Sequence, residues 1–324
     1  MTPLFFTARV LPLMAALVLA GCASGLPSID PSSLPVTPTL FRESQAVAVA
    51  PAAPYQAQWW KVFADPVLDQ LVAQASRNNN SLSVAAGRLA QARAIARSTD
   101  ADRSPQLGLG AGAVRQTDAT AANRPKTVVS VGANFSYELD LFGKLAGAAD
   151  AASLDAQSRE ALLRSTQLLV QADVAQTYLN LRALDTERAL VRDTLQAYRD
   201  TLRLTEVRFR EGDVAELDVA RVRTEVASTE SEALTLDRRR AELEHALAVL
   251  VGEVASSFQV APAEWATALP VIPAGVPSTV LVRRPDVSAA QSSMQAAQAR
   301  VGVAKAAWFP VFSLTASGGY AAPE

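Results

Sequence analysis

The sequence predicts a mainly α-helical chain that also carries β-hairpins long enough to cross a membrane. Three observations predict it. Two heptad stripes flank a glycine turn in the middle of the chain. The segments before and after that helical hairpin switch to a period of two. A helix-to-strand block then recurs without gaps, Pro105 returning as Pro310, an offset of 205 residues.

Residues 142–252 read as a long α-helical hairpin. In the first helix Val170, Val174, Thr177, Leu181, Leu184, Arg188, Val191, Leu195, Tyr198, Leu202, Thr205 and Phe209 recur at spacings of four and three. In the second the stripe is Val219, Val222, Val226, Thr229, Ala233, Leu236, Arg240, Leu243, Leu247 and Leu250. This is the period of helices that supercoil on each other. Gly212, in Arg210-Glu211-Gly212-Asp213, supplies the left-handed residue that ends a helix. Asp213, with Glu216 three residues on, gives a capping-box pattern for a second helix from about Val214 to Val251. A helix from Lys144 to Arg210 would be about 100 Å long at 1.5 Å per residue. Helices of soluble domains average about 11–12 residues. A dimeric coiled coil would show the same stripes, so the flanks decide.

Residues 59–104 form the first short helix block. Trp59-Trp60 reads as a packing anchor. Asp65-Pro66 is a helix start, with Pro at the first helical position. Val67, Leu68, Leu71, Val72 and Ala75 form an apolar face, Asn78-Asn79-Asn80 marks a break, and Leu82, Ala85, Leu89, Ala92 and Ala96 resume the pattern to about Asp102. The short helices have the lengths to stack end to end along the long one.

Residues 105–141 form the first hairpin of strands. Leu107, Leu109, Ala111 and Ala113 alternate with Gly108, Gly110 and Gly112. A polar loop is expected at Asp118–Lys126. Val129, Val131, Ala133, Phe135, Tyr137 and Leu139 then alternate with polar or small residues. Each run is about ten residues, the length of a tilted transmembrane strand. Tyr137 and Phe142 stand where an aromatic girdle is expected. A soluble sheet with one buried face would alternate in the same way; the leader and the long helices favour the membrane. An open sheet edge does not persist in lipid, so more chain or more protomers must complete the hairpin.

Residues 253–282, with Pro262, Pro270, Pro273 and Pro277, read as a connector. Residues 283–309 hold the second-repeat helix, which carries Val287, Ala290, Met294, Ala297 and Val301. Residues 310–324 begin a second hairpin with Phe312, Leu314 and Ala316. Leu82 matches Val287, Leu89 matches Met294, and Leu107 and Leu109 match Phe312 and Leu314. Such a repeat implies a pseudo-symmetric protein with two copies of helix, strand hairpin and long helix. The second copy reaches only its first strand at Glu324, and a truncated form of a longer protein is expected.

Residues 1–21 read as a secretory signal peptide. It ends in Leu19-Ala20-Gly21-Cys22, which resembles the lipobox of bacterial lipoproteins. The resemblance implies cleavage before Cys22, the only cysteine of the chain, and a covalent lipid there. Ala23 after it favours export to the outer membrane. Residues 22–58, rich in Pro, Ser, Ala and Val, read as an extended tether from that anchor.

Composition narrows the function classes. A formal net charge of −2, with 19% charged residues, gives no sign of nucleic-acid binding. One cysteine excludes an internal disulfide framework. His245 is the only histidine, and it lies in a charged helical stretch with no nucleophile in a recognisable arrangement. It reads as a surface or packing residue, and an enzyme is not expected. No Cys/His metal-ligand spacing is present, and no cofactor is expected beyond the lipid on Cys22.

The ordered set of motifs resembles the outer-membrane efflux proteins, the TolC-like channels, and within them the lipidated OprM/NodT-like branch. The residues that carry it are Leu19-Ala20-Gly21-Cys22, Trp59-Trp60 with Asp65-Pro66, and Tyr137-Glu138-Leu139-Asp140-Leu141-Phe142-Gly143-Lys144. Others are Phe209-Arg210-Glu211-Gly212 with Leu217-Asp218-Val219, Leu250-Val251-Gly252, Arg284-Pro285-Asp286 and Trp308-Phe309-Pro310. The resemblance implies a long coiled-coil helical barrel and a β-barrel shared by a homotrimer, of which this chain is a partial protomer. It also implies an outer-membrane location, contact with outer-membrane lipid, and passive conduction of substrate from an inner-membrane pump through a periplasmic adaptor. Phe209, Gly212, Leu217, Asp218 and Val219 match the tip that receives the adaptor. A coiled-coil structural lipoprotein without a pore is the alternative.

Overall fold

The computed structural model describes residues 58–117, 125–265, 280–281 and 283–323. The expected signal peptide, Cys22, nearly all of the tether, the tip of the strand hairpin and half of the connector lie outside the described residues. A 3₁₀ turn, Trp59–Phe63, precedes α1 (Pro66–Asn78) and α2 (Asn80–Ala101). Strands β1 (Gln106–Thr117) and β2 (Pro125–Leu139) follow, then α3 (Lys144–Arg210), α4 (Glu216–Val251), α5 (Pro285–Ala306) and β3 (Phe312–Pro323). Pro125 and Lys126, expected in the polar loop, instead open β2, paired with Thr117 and Gln116. No helix among the described residues is long and apolar enough to cross a membrane.

Two compact units divide these elements: residues 58–86 with 163–281, and residues 87–162 with 283–323. In the first, Trp60, Leu68, Leu71, Val72 and Leu82 pack with Val170, Val174, Tyr178 and Leu181 of α3 and Leu247 and Val251 of α4. Asp65 starts α1 as its sequence implies, its Oδ1 accepting from the backbone N–H of Val67 at 2.8 Å and Leu68 at 3.1 Å. Those donors lack partners within the first turn of any helix. Asn79 makes the expected break. Its backbone is extended, its Oδ1 accepts from Ser81 N–H at 2.9 Å to start α2, and its Nδ2 donates to the Leu250 carbonyl at 2.8 Å. Gly252 ends α4 at φ +74°, where a Cβ would stand 2.5 Å from the Asn78 carbonyl oxygen. The end of α4 therefore meets the α1–α2 break, in keeping with short helices that stack end to end.

Both heptad stripes hold. Every position from Val170 to Thr205, and from Val219 to Leu250, is buried or half-buried, and only Phe209 is exposed. One expectation is corrected at the turn. Asp213 does not cap α4; its carboxylate pairs with Arg208 at 2.8 Å. The helix begins later, at Glu216, and Asp218 accepts from the Ala215 N–H at 3.3 Å.

In the second unit the three strands form one antiparallel sheet in the order β1-β2-β3. Asp140 leads from β2 into α3: its two carboxylate oxygens accept from Leu145 N–H at 3.1 Å and Ala146 N–H at 2.7 Å. Gly143, at φ +71°, makes the turn between them. Phe142, at the level where an aromatic girdle is expected, is half-buried. It stacks on Phe309, with centroids 4.5 Å apart and planes 12° from parallel.

Helix α5 lies along α3 through small residues. Ala289, Ala296, Ala299 and Ala306 are buried. Ser158 Oγ donates to the Ala289 carbonyl at 3.0 Å and lies 2.8 Å from Ser293 Oγ. Arg300 pairs with Asp155 at the same seam. The stripe of Val287, Ala290, Met294, Ala297 and Val301 is open: Met294 is 42% exposed, whereas its repeat partner Leu89 on α2 is 7% exposed. The alanines win the α3 seam because two backbones approach closely only where side chains are small.

Candidate functional site

The sheet has two chemically different faces. Directly paired residues share a face. The register places Leu107 with Phe135 and Ala316, Leu109 with Ala133 and Gly318, and Leu139 with Phe312. On the other face Gly108 pairs with Asn134 and Ser317, Gly112 with Ser130, and Ser136 with Thr315. The repeat parity expected for β3 therefore holds. The apolar face is bare: Leu109 is 82% exposed and Tyr320 is 76% exposed. An apolar face this continuous marks a partner or a membrane rather than water. The outer edges of β1 and β3 have no strand partner among the described residues.

At the α3–α4 turn the structure gathers the five tip residues but gives them different work. Gly212 holds φ +78°. Val219 is buried and packs, and Asp218 caps α4. Phe209 and Leu217 are exposed, Leu217 by 59%. Arg208–Asp213 and Arg223–Glu206, at 2.8 and 2.9 Å, hold the two helix ends together beneath them. Two free apolar side chains on a braced turn suit the docking of another helical tip. His245 lies exposed on α4, as its surroundings imply.

A third feature is a buried ionic network that the sequence reading missed. Asp185 accepts from Arg240 Nε at 2.7 Å, Arg182 Nη1 at 3.3 Å and Arg188 Nη1 at 3.4 Å. It also accepts from the Ala263 N–H at 3.3 Å. Arg182 donates to the Ala261 carbonyl at 2.7 Å and to the Tyr178 hydroxyl at 2.9 Å. Tyr178 in turn donates to Asp65 at 2.6 Å. Glu244 accepts from Val260 N–H at 2.7 Å and pairs with Arg240 at 3.2 Å. The network thus ties the backbone of 260–263 to α3 and α4. Burial, then the hydrogen bond to Asp65, pushes the Tyr178 hydroxyl up to about 12. For Arg240 burial works against the charge, but the hydrogen bonds and charges of Asp185 and Glu244 together outweigh it and raise the pKa. Burial also opposes the charge on Asp237, yet hydrogen bonds from Arg188 and Arg192 hold it below the usual carboxylate value. Arg188 and Arg240 were visible in the sequence as charges inside apolar stripes; such charges demand a buried counter-charge, and Asp185 lies one turn before Arg188.

Comparisons with known proteins agree with this geometry. A family model described as outer membrane efflux protein matches residues 71–253 and 276–324. The cation efflux system protein CusC of Escherichia coli O6:H1 is 32% identical over 314 residues, covering 95% of this chain and 67% of that protein. The pyoverdine export outer membrane protein OpmQ of Pseudomonas aeruginosa PAO1 is 35% identical over 271 residues, covering 80% and 57%. The solved structure of the outer-membrane channel OprN superposes with a TM-score of 0.77 at 26% identity, over 92% of this chain and 72% of that one. The chain thus spans roughly three-fifths to two-thirds of the length of the two relatives.

Proposed function

Because the chain belongs to the outer membrane efflux protein family, we propose that it supplies the outer-membrane conduit of a tripartite export system. The observation that carries this reading is the bare apolar face of the sheet, joined through Asp140 to a helix of 67 residues. One face suits lipid and the other, lined by Gly, Ser, Asn and Thr, suits a water-filled lumen. The unpaired edges of β1 and β3 need neighbours, and a homotrimer that shares one barrel supplies them. At the other end of α3, Phe209 and Leu217 receive the hairpin of a periplasmic adaptor, which links the conduit to an inner-membrane pump. Gly212, Asp218 and Val219 shape that tip. Cys22 carries the lipid that fixes the N-terminus to the outer membrane.

Transport in this reading is passive, and no side chain performs catalysis. The pump upstream sets the cargo. The two relatives fit that division of labour, since one is named for cation efflux and the other for pyoverdine export.

Planar-bilayer recording on the purified full-length protein tests the reading. A stable conductance that is lost when Gly132 on the polar face becomes Trp is the expected result. No conductance under any condition would favour a coiled-coil spacer without a pore.

A further inference from the structure

Of the four tryptophans in the chain, three hold their indole N–H buried: Trp59, Trp60 and Trp265. Trp308 is 91% exposed. It stands between the end of α5 and the start of β3. Its neighbour Phe309 is taken up by the stack on Phe142, so adjacent residues divide, one packed inward and one presented outward.

Trp308 is not alone at this level. Leu141 and Val311 are exposed beside the same helix–strand junction, and the Leu139–Phe312 pair opens the apolar face there. Lys305, one turn earlier on α5, is exposed. An amphipathic ring above a cation is the composition of a membrane–water border, where the indole lies among headgroups and its N–H finds an oxygen. The spacing of aromatics fits as well. Tyr320 lies eight residues beyond Phe312 on β3. That is about 27 Å along a strand at about 3.4 Å per residue. At a tilt of roughly 40° it becomes about 20 Å of height, close to the apolar band of about 25 Å in membrane barrels.

We propose that Trp308, with Leu141 and Val311, docks on the phospholipid headgroup layer at the helix-side border of the membrane. Tyr320 marks the opposite border. This rests on the membrane reading given above. It also adds a residue outside the strands to the level where Tyr137 and Phe142 are expected.

The test uses the full-length protein reconstituted into phosphatidylcholine vesicles that carry bromine either close to the headgroup or deep in the acyl chain. Flotation of the vesicles reports membrane insertion separately from fluorescence. The tryptophan emission of wild type minus that of Trp308→Phe isolates the Trp308 signal. The expected result is that both proteins float and that headgroup-proximal bromine quenches the difference signal more than deep bromine. Leu141→Trp in the Trp308→Phe background restores a signal quenched the same way. If the proteins float but the difference signal ignores both brominated lipids, Trp308 faces water or a second copy, and this inference alone falls. Protein that stays at the bottom of the gradient overturns the membrane reading and this inference together.

Discussion

The network around Asp185 and the seam between α3 and α5 solve the same problem in opposite ways. Both join elements far apart in sequence. At Asp185 large charged groups are taken out of water and matched: three arginines share its carboxylate, Glu244 and Asp237 pair with Arg240 and Arg188, and the Ala261 carbonyl accepts from Arg182. At the α3–α5 seam mostly methyl groups are taken from water, and buried Ser158 bonds the Ala289 carbonyl and meets Ser293 at the edge. The first junction depends on pairing and the second on closeness. They should therefore fail differently: one when a charge is left alone, the other when a side chain grows.

The largest effect is expected at the network. Asp185→Ala leaves three guanidinium groups without their shared acceptor, and breaking a buried pair costs about 3–5 kcal/mol. The urea midpoint should fall accordingly. Replacing Asp185 and Arg240 together with apolar residues should recover part of the loss, because no unmatched charge remains between that pair.

Next comes an alkaline limb. Tyr178 ionises near 10.0 when unfolded and at about 12 in the fold. Its contribution is complete below pH 10 and is lost as the pH rises toward 12, with a slope of up to about 1.4 kcal/mol per pH unit. Unfolding followed across that window should show the slope in wild type and not in Tyr178→Phe. At the seam, Ala296→Leu places a large side chain where no exposed surface remains, and overpacking costs roughly 1–3 kcal/mol. The smallest effect is expected on the open face of α5. Met294→Ser should shift the midpoint by less than about 0.5 kcal/mol in the chain as described. A larger loss at Met294 would show that the face is covered, and would erase the contrast between α5 and α2.

Much of this was legible in the sequence, and the reason is periodicity. The long helix was legible because its stripe runs unbroken from Val170 to Phe209 and Gly212 ends it. The break at Asn79 and the start at Asp65 were readable because short polar side chains cap helices in a fixed way. What stayed hidden needed a partner to be known. Asp213 met the pattern of a cap, yet Arg208 claimed its carboxylate. Phe142 stood where a girdle residue belongs, but the sequence did not show that Phe309 stacks on it. On α5 the larger residues formed the better stripe, but the α3 seam selected alanines, since closeness rather than side-chain size set the packing. Within the tip, the sequence marked the turn; only burial separated the packing role of Val219 from the free surfaces of Phe209 and Leu217.

The central claim is that the sheet lies in a membrane with one face to lipid and the other to water. Single cysteines placed along paired strands test it most directly, read with a charged, membrane-impermeant thiol reagent on the membrane-inserted protein. The account predicts that Ser130→Cys, Ser136→Cys and Ser317→Cys react, while Leu109→Cys, Val131→Cys and Leu314→Cys are protected. Equal labelling of both sets would contradict it, because a sheet wetted on both faces does not cross a bilayer.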